Sequence, residues 1–301
     1  MNNIIYYYYN IKTVNINNKN NNYYFYFNNN LYYFLIYNNT HFIDDIYNLV
    51  SSVIPNKLHM IIKNNRNDII TMVDNIPYVL LKINLNLPKS IFLKEVNSFS
   101  KFNFQFNNSM KRNNWNILWS AKIDYLENQI YQIGRKYPIL VDSFSYFVGM
   151  AENAISYYKN TIDSYKNQNI SYCMSHDKLY LDSFNFFNPL NITLDHKARD
   201  VGEYIKMSFF NRNYSIFQEL ESYFKDNFYS EFDMRLLVSR ILYPSFYFNL
   251  YDGIINNILK EEQLVYITNN VDEYENYLRD ILGYLDKYYR LPNIEWLIKK
   301  G

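Results

Sequence analysis

The apolar residues of this chain change their spacing partway along it, and that change most limits the folds open to it. Up to about residue 95 they come in short aromatic and aliphatic runs broken by Asn, Asp and Pro; from Trp115 onward they recur every three or four residues. Short runs between turn residues read as strands, and a helical period reads as a helix with one buried face. Strands in one block and helices in the next predict an α+β chain in two lobes: residues 1–95 as a sheet-plus-helix lobe, 96–114 as a linker or hinge, and 115–301 as a larger, mainly helical lobe with an insertion at 171–200.

Within the first block, YYFYF and LYYFLIY flank Asn28 to Asn30, a hairpin signal because Asn tolerates the left-handed turn conformation. Asn17 to Asn22 read as a solvated turn. After Thr40, read as a cap, Phe42, Ile46, Leu49 and Val53 recur at helical spacing, Asp44 and Asp45 suit a helix N-terminus, and Pro55 and Asn56 end the pattern. Further strands follow, broken at Asn64 to Asn67 and at Asp74 and Asn75. In the second block Trp115, Leu118, Trp119, Leu126, Ile130 and Ile133 share one helical face, which Gly134 and Pro138 are expected to terminate. Phe144, Phe147, Val148, Ala151, Ile155, Tyr158 and Ile162 mark a second helix.

Composition narrows the partners. Lys and Arg number 30 against 29 Asp and Glu, with no basic stripe, so neither nucleic acid nor an anionic membrane surface is expected. No apolar run reaches the ~18 residues of a membrane span, and the N-terminus lacks the pattern of a secretory signal. Cys173 is the one cysteine, which precludes an intrachain disulfide and fits a reducing cytoplasm; it reads as a small core residue. His41, His59, His176 and His196 are too scattered for a zinc site.

A small sheet lobe ahead of a helical lobe, with a loop-and-strand insertion after the second long helix, is the layout of protein-kinase-like folds. Phosphotransferases of this class carry a His-x-Asp with an Asn five residues after the Asp, then a hairpin leading to a metal-binding Asp. Here His176 lies 19 residues before Asp195, room for a loop, a strand, a turn at Asn188-Pro189 and a strand Leu190 to Leu194. The residue two after His176 is Lys178, however; Asp177 comes one place early, and Asp182 stands where the Asn belongs.

The segment SHDKLYLDSFNFFNPLNITLDHKARDVGEYIKMSFF resembles the central part of the spore-coat-associated YutH family, which is itself similar to CotS-type coat proteins and to aminoglycoside and choline phosphotransferases. The Trp119 to Pro138 segment, YFVGMAENAISY and MRLLVSRILYPSFYFNL are also similar to it. The resemblance implies a kinase-like fold with a small antiparallel-sheet N-lobe, and a role in the spore coat. Carried over by position, Asp195 matches the metal-binding Asp, His176 the catalytic-loop His, and Asp200 a structural Asp that braces the following helix. No Lys lies in LYYFLIY where an ATP-phosphate lysine belongs, and no Gly-rich phosphate loop is present; Lys63 and Lys82 are the available substitutes.

These departures favour a catalytically impaired, kinase-like protein acting in coat assembly from the mother-cell cytoplasm through interactions with other coat proteins. Two alternatives stand beside it. One is an Mg2+-ATP-dependent phosphotransferase on a small molecule or coat protein, in which Asp195 and Asp182 hold the metal, His176 and Asp177 form the acid-base pair and Lys63 or Lys82 binds nucleotide. The other is a structural coat subunit. The side chains of His176 and Asp195 are expected to face the groove between the lobes, and Asp200 to be tucked under the helix that begins near Val201.

Overall fold

A computed structural model describes residues 1–13, 15–19, 22–102, 110–112, 114–133 and 136–298; Gly134, expected to stop the first long helix, lies outside them. The chain forms two compact units, residues 1–111 with 172–195 and residues 112–171 with 196–301. The hairpin of the insertion, counted with the helical lobe on sequence grounds, is thereby grouped with the sheet.

The first unit opens with α1 (Asn2–Tyr9), closed by Asn10 in the left-handed conformation. The tyrosine run hides this helix from a reading by period, yet Ile5 is buried in a cluster with Phe25, Phe34, Tyr78 and Leu80. The sheet is antiparallel throughout, in the order β1 (Asn17–Lys19), β2 (Asn22–Phe27), β3 (Asn30–Ile36), β6 (Ile76–Lys82), β4 (Met60–Ile62), with β5 (Ile70–Val73) also paired to β6. The asparagines read as a solvated turn are in part the edge strand β1, fully exposed but registered on β2 through Asn17 opposite Tyr24. β2 and β3 turn through Asn28 and Asn29, and β5 and β6 through Asp74 and Asn75, all four at positive φ. Two successive left-handed residues match the twist of paired strands, and with only 6 glycines in the chain Asn and Asp take that place.

The helix expected after Thr40 is α2 (Ile43–Asn48), preceded by a 3-10 turn and continued by a π-helical turn, Leu49–Val53. Asn56 at positive φ ends the segment. α3 (Leu93–Ser100) follows, buried through Leu93, Val96 and Phe99.

In the second unit, α4 (Trp115–Ile133) and α5 (Pro138–Ser164) fall where the period places them. Pro138 does not stop α4 but starts α5, the position where a missing N–H costs nothing. Leu118, assigned to the buried face of α4, is exposed, and Ile123 takes its place. The remaining helices are α7 (Ala198–Phe210), α8 (Ile216–Asp226), α9 (Glu231–Leu242), α10 (Ser245–Ile255), α11 (Gln263–Asn269), α12 (Val271–Asp286) and α13 (Glu295–Ile298); α6 (Ser183–Phe186) belongs to the first unit. Stacked rings fill the core: Phe147 on Tyr247 with centroids 4.0 Å apart, and Trp119 on Tyr243 at 4.3 Å.

α7 and α9 approach closely because Gly202 leaves room; a Cβ there would stand 2.7 Å from Arg240 Cγ. Beside it lies a buried charge cluster. The Lys206 ammonium donates to Glu203 Oε1 at 3.0 Å, the Tyr243 carbonyl at 2.8 Å and Ser245 Oγ at 2.7 Å. Arg240 Nε is 2.7 Å from the same Glu203 oxygen, with its guanidinium over the Trp115 and Trp119 rings. Burial pushes the Lys206 ammonium down to about 8 against the attraction of Glu203. For Glu203, burial opposes ionisation, but Lys206 and Arg240 outweigh it and hold the carboxyl at about 2. Among the described residues, no helix is long and apolar enough to cross a membrane.

Candidate functional site

The hairpin of the first unit brings the sequence-derived candidates into view. β7 (Tyr172–His176) pairs with β8 (Ile192–His196), so His176 ends the first strand instead of preceding it. The pairing is antiparallel: the Asp177 N–H donates to the Asn191 carbonyl at 2.8 Å, and Cys173 Sγ, half-buried, donates to the Asp195 carbonyl at 3.5 Å. Between the strands the chain makes an exposed turn, then α6, then a 3-10 turn at Pro189–Asn191.

His176 is fully buried, 0% exposed, where a side chain open to a groove was expected. Its ring stacks on Phe99 at 4.2 Å and lies 4.4 Å from Phe186, and its Nε2 is 2.8 Å from the Phe186 carbonyl. The apolar partners explain the correction: with β7 ending at His176, the strand's alternation carries the ring into the core between α3 and α6. Asp195, on β8, expected to face the same groove, is also buried, at 1% exposure; every residue of β8 is buried. Asp200 is buried as expected, in the first turn of α7.

The exposed members of the set are Asp177, Lys178 and Asp182. Asp177 raises the neighbouring Tyr37 hydroxyl, which burial first pushes up, to about 12. Asp182 is the N-cap of α6: its Oδ1 accepts the Asn185 N–H at 2.9 Å, and the Asn185 side-chain amide donates to both carboxylate oxygens. That geometry is helix capping, and among the described residues no group of three or more His, Cys, Asp or Glu side chains is placed to hold a metal ion. Lys63 lies just beyond β4 with Nζ 4.5 Å over the Tyr47 ring. Lys82 ends β6 in register with Tyr32 and Met60, and its ammonium has no hydrogen-bond or ion-pair partner among the described residues.

Two organising residues escaped the sequence reading. Asn191 clamps the turn, accepting the Lys178 N–H at 3.2 Å through Oδ1 and donating to the Lys178 carbonyl at 2.8 Å. His59 joins three segments: its Nδ1 accepts the Asn84 N–H at 3.3 Å, so Nε2 carries the proton and donates to the Phe184 carbonyl at 3.1 Å, and its own N–H donates to the Phe187 carbonyl. Burial pushes the His59 ring down to about 4. Neither residue has a motif around it; a single Asn or His acquires such a role only when distant segments meet.

With this geometry in hand, comparisons place the chain among known proteins. A family model described as spore coat putative kinase YutH matches residues 2–281. The endospore coat-associated protein YutH of Bacillus subtilis (strain 168) is 27% identical over 208 residues, 62% of this chain and 61% of that protein. The chain therefore aligns with about three fifths of that curated relative's length. Among solved structures, an aminoglycoside phosphotransferase from Alicyclobacillus acidocaldarius superposes with a TM-score of 0.64 at 10% identity, covering 93% of this chain and 94% of its own. A spectinomycin phosphotransferase in complex with ADP and spectinomycin gives 0.59 at 10% identity, covering 93% and 92%. At that identity the two likenesses show the fold, which is protein-kinase-like with a small antiparallel-sheet N-terminal lobe and a mainly helical remainder.

Proposed function

The chain belongs to the family of spore coat putative kinases of the YutH type, and from that premise we propose that it is a coat-associated, kinase-like protein with impaired phosphotransfer, made in the mother-cell cytoplasm and acting in coat assembly by binding other coat proteins. The observation that carries the reading is His176: sealed between Phe99 and Phe186, with Nε2 against a backbone carbonyl, it is a core residue rather than an acid or base open to substrate. The other positions agree. Lys178 occupies the place of the catalytic Asp, β3 holds no lysine, and the Asp182 carboxylate is engaged in capping α6. Phosphoryl transfer depends almost wholly on positioned charge, so each such loss removes about two or more powers of ten in rate. The test is a thermal melt with and without millimolar Mg2+-ATP. No shift is expected; a ligand present at a hundred times its Kd adds about 2.7 kcal/mol, a rise in Tm of several degrees that would refute the impairment.

The exposure of Asp177, together with the ammonium of Lys82, unpaired among the described residues, favours a second reading as an Mg2+-ATP-dependent phosphotransferase. There Asp177 is the base, Asp195 with Asp182 the metal ligands and Lys82 or Lys63 the nucleotide contact. Asp177→Asn is expected to abolish ATP turnover under this reading, and absence of turnover in the parent protein removes it.

A further inference from the structure

We propose that the first unit carries a binding site for a small amphipathic monoanion, a single carboxylate or sulfonate on an aromatic or branched apolar body, at the end of the sheet where β6 stops. A cavity of about 550 Å3 opens there, a volume typical of small-ligand sites. Val50 of the π-helical turn, Leu58, Ile61 and Leu85 give it apolar walls, and Tyr47 of α2 supplies an aromatic ring. Lys82 is the charged residue of its lining, and no Asp or Glu joins it there.

Charge complementarity selects the ligand. The Lys82 side chain is half-buried and has no counter-charge among the described residues. A partly desolvated ammonium attracts an anion more strongly than one in bulk water, and a neutral ligand filling the cavity would leave it desolvated and unpaired. Lys63, stacked on the Tyr47 ring, and the exposed Lys57, between the lining residues Asn56 and Leu58, add positive potential around the rim. One lining cation balances one anionic group; a triphosphate would bring more negative charge than the walls neutralise, which separates this site from a nucleotide site. The carboxamides of Asn30, Asn56 and Asn86 add polar groups beside the apolar surface.

The test uses two fluorescent probes on the full chain: anilinonaphthalene sulfonate, an aromatic monoanion, and phenylnaphthylamine, its neutral counterpart. Saturable sulfonate binding is expected, weakened about tenfold or more by Lys82→Met and largely kept by Lys82→Arg, while the neutral dye is unchanged between the three proteins. Leu58→Trp, which fills the cavity, should reduce both dyes. Equal sulfonate affinity in the parent and Lys82→Met would overturn the proposal, as would equal loss of both dyes in Lys82→Met with an unaltered melt. Displacement of the sulfonate by Mg2+-ATP would reassign the cavity to nucleotide and overturn it too. Should Lys82→Met not fold, Lys82→Gln serves the same comparison.

Discussion

Removing the charge of Glu203 is expected to be among the most damaging single changes in the helical unit, and the damage should exceed that of removing its partner Lys206. Among the described residues, Glu203 is the carboxylate in ion-pair contact with two buried cations, with Lys206 Nζ at 3.0 Å and Arg240 Nε at 2.7 Å. Each contact at about 3 Å carries roughly 5 kcal/mol of attraction at an effective dielectric of 20, before desolvation is counted. Glu203→Gln leaves both cations buried without a counter-charge, and breaking a buried pair in this way costs about 3–5 kcal/mol. Lys206→Met leaves Glu203 facing Arg240 one to one. The Tyr243 carbonyl keeps the Ser245 N–H, and Ser245 Oγ keeps its 2.6 Å bond to Glu203, so a cost of about 0–2 kcal/mol is expected.

Urea unfolding followed by tryptophan fluorescence measures both changes, and Trp115 and Trp119 lie under the Arg240 guanidinium where they report on the cluster itself. The pH dependence gives an independent sign. Lys206 titrates near 8 in the folded chain against an ordinary 10.5, so across that interval the unfolded state binds the extra proton and stability rises with pH. The rise, up to about 3 kcal/mol if the whole interval counted, is to be read between pH 8 and about 9.5, below the loss that buried tyrosines bring above 10, and it should vanish in Lys206→Met. A Lys206→Met protein less stable than Glu203→Gln, or one that keeps the alkaline rise, would refute this account.

Asp195→Ala is expected to destabilise the chain by about 1–3 kcal/mol, as is Asp200→Ala, because both carboxylates are buried; calorimetric melts that leave either unchanged would contradict their structural roles. Asp182→Ala should cost about 1 kcal/mol as a lost helix cap, with Asp182→Asn or Asp182→Ser recovering most of it in denaturant titrations, whereas a metal ligand would not be rescued by Ser. His59 sits low in the folded state, so the unfolded chain takes up its proton first and stability should fall as pH drops from 6.5 through about 4; His59→Phe should flatten that limb, and an acid melt as steep as the parent's would refute it.

The spacing of apolar residues determined a good deal about this protein. Strands before residue 95 and helices after Trp115 follow from period alone, since a strand alternates faces and a helix returns to one face every 3.6 residues. The hairpin turns at Asn28-Asn29 and Asp74-Asn75 were legible because few residues other than Gly adopt positive φ cheaply. The family likeness was legible in the segment from Ser175 through β8 and α7. Burial was not. His176, Asp195 and Asp177 belong to one short hairpin, yet the first two are buried and the third is exposed; for His176 the burial depends on Phe99 of α3 and Phe186 of α6 closing on the ring. The same holds for His59, which acquires its partners from residues 84, 184 and 187, and for the cavity beside Lys82, whose walls are separated along the chain by tens of residues. Periodicity encodes which face of an element is apolar; only the packed chain decides which polar group that face encloses.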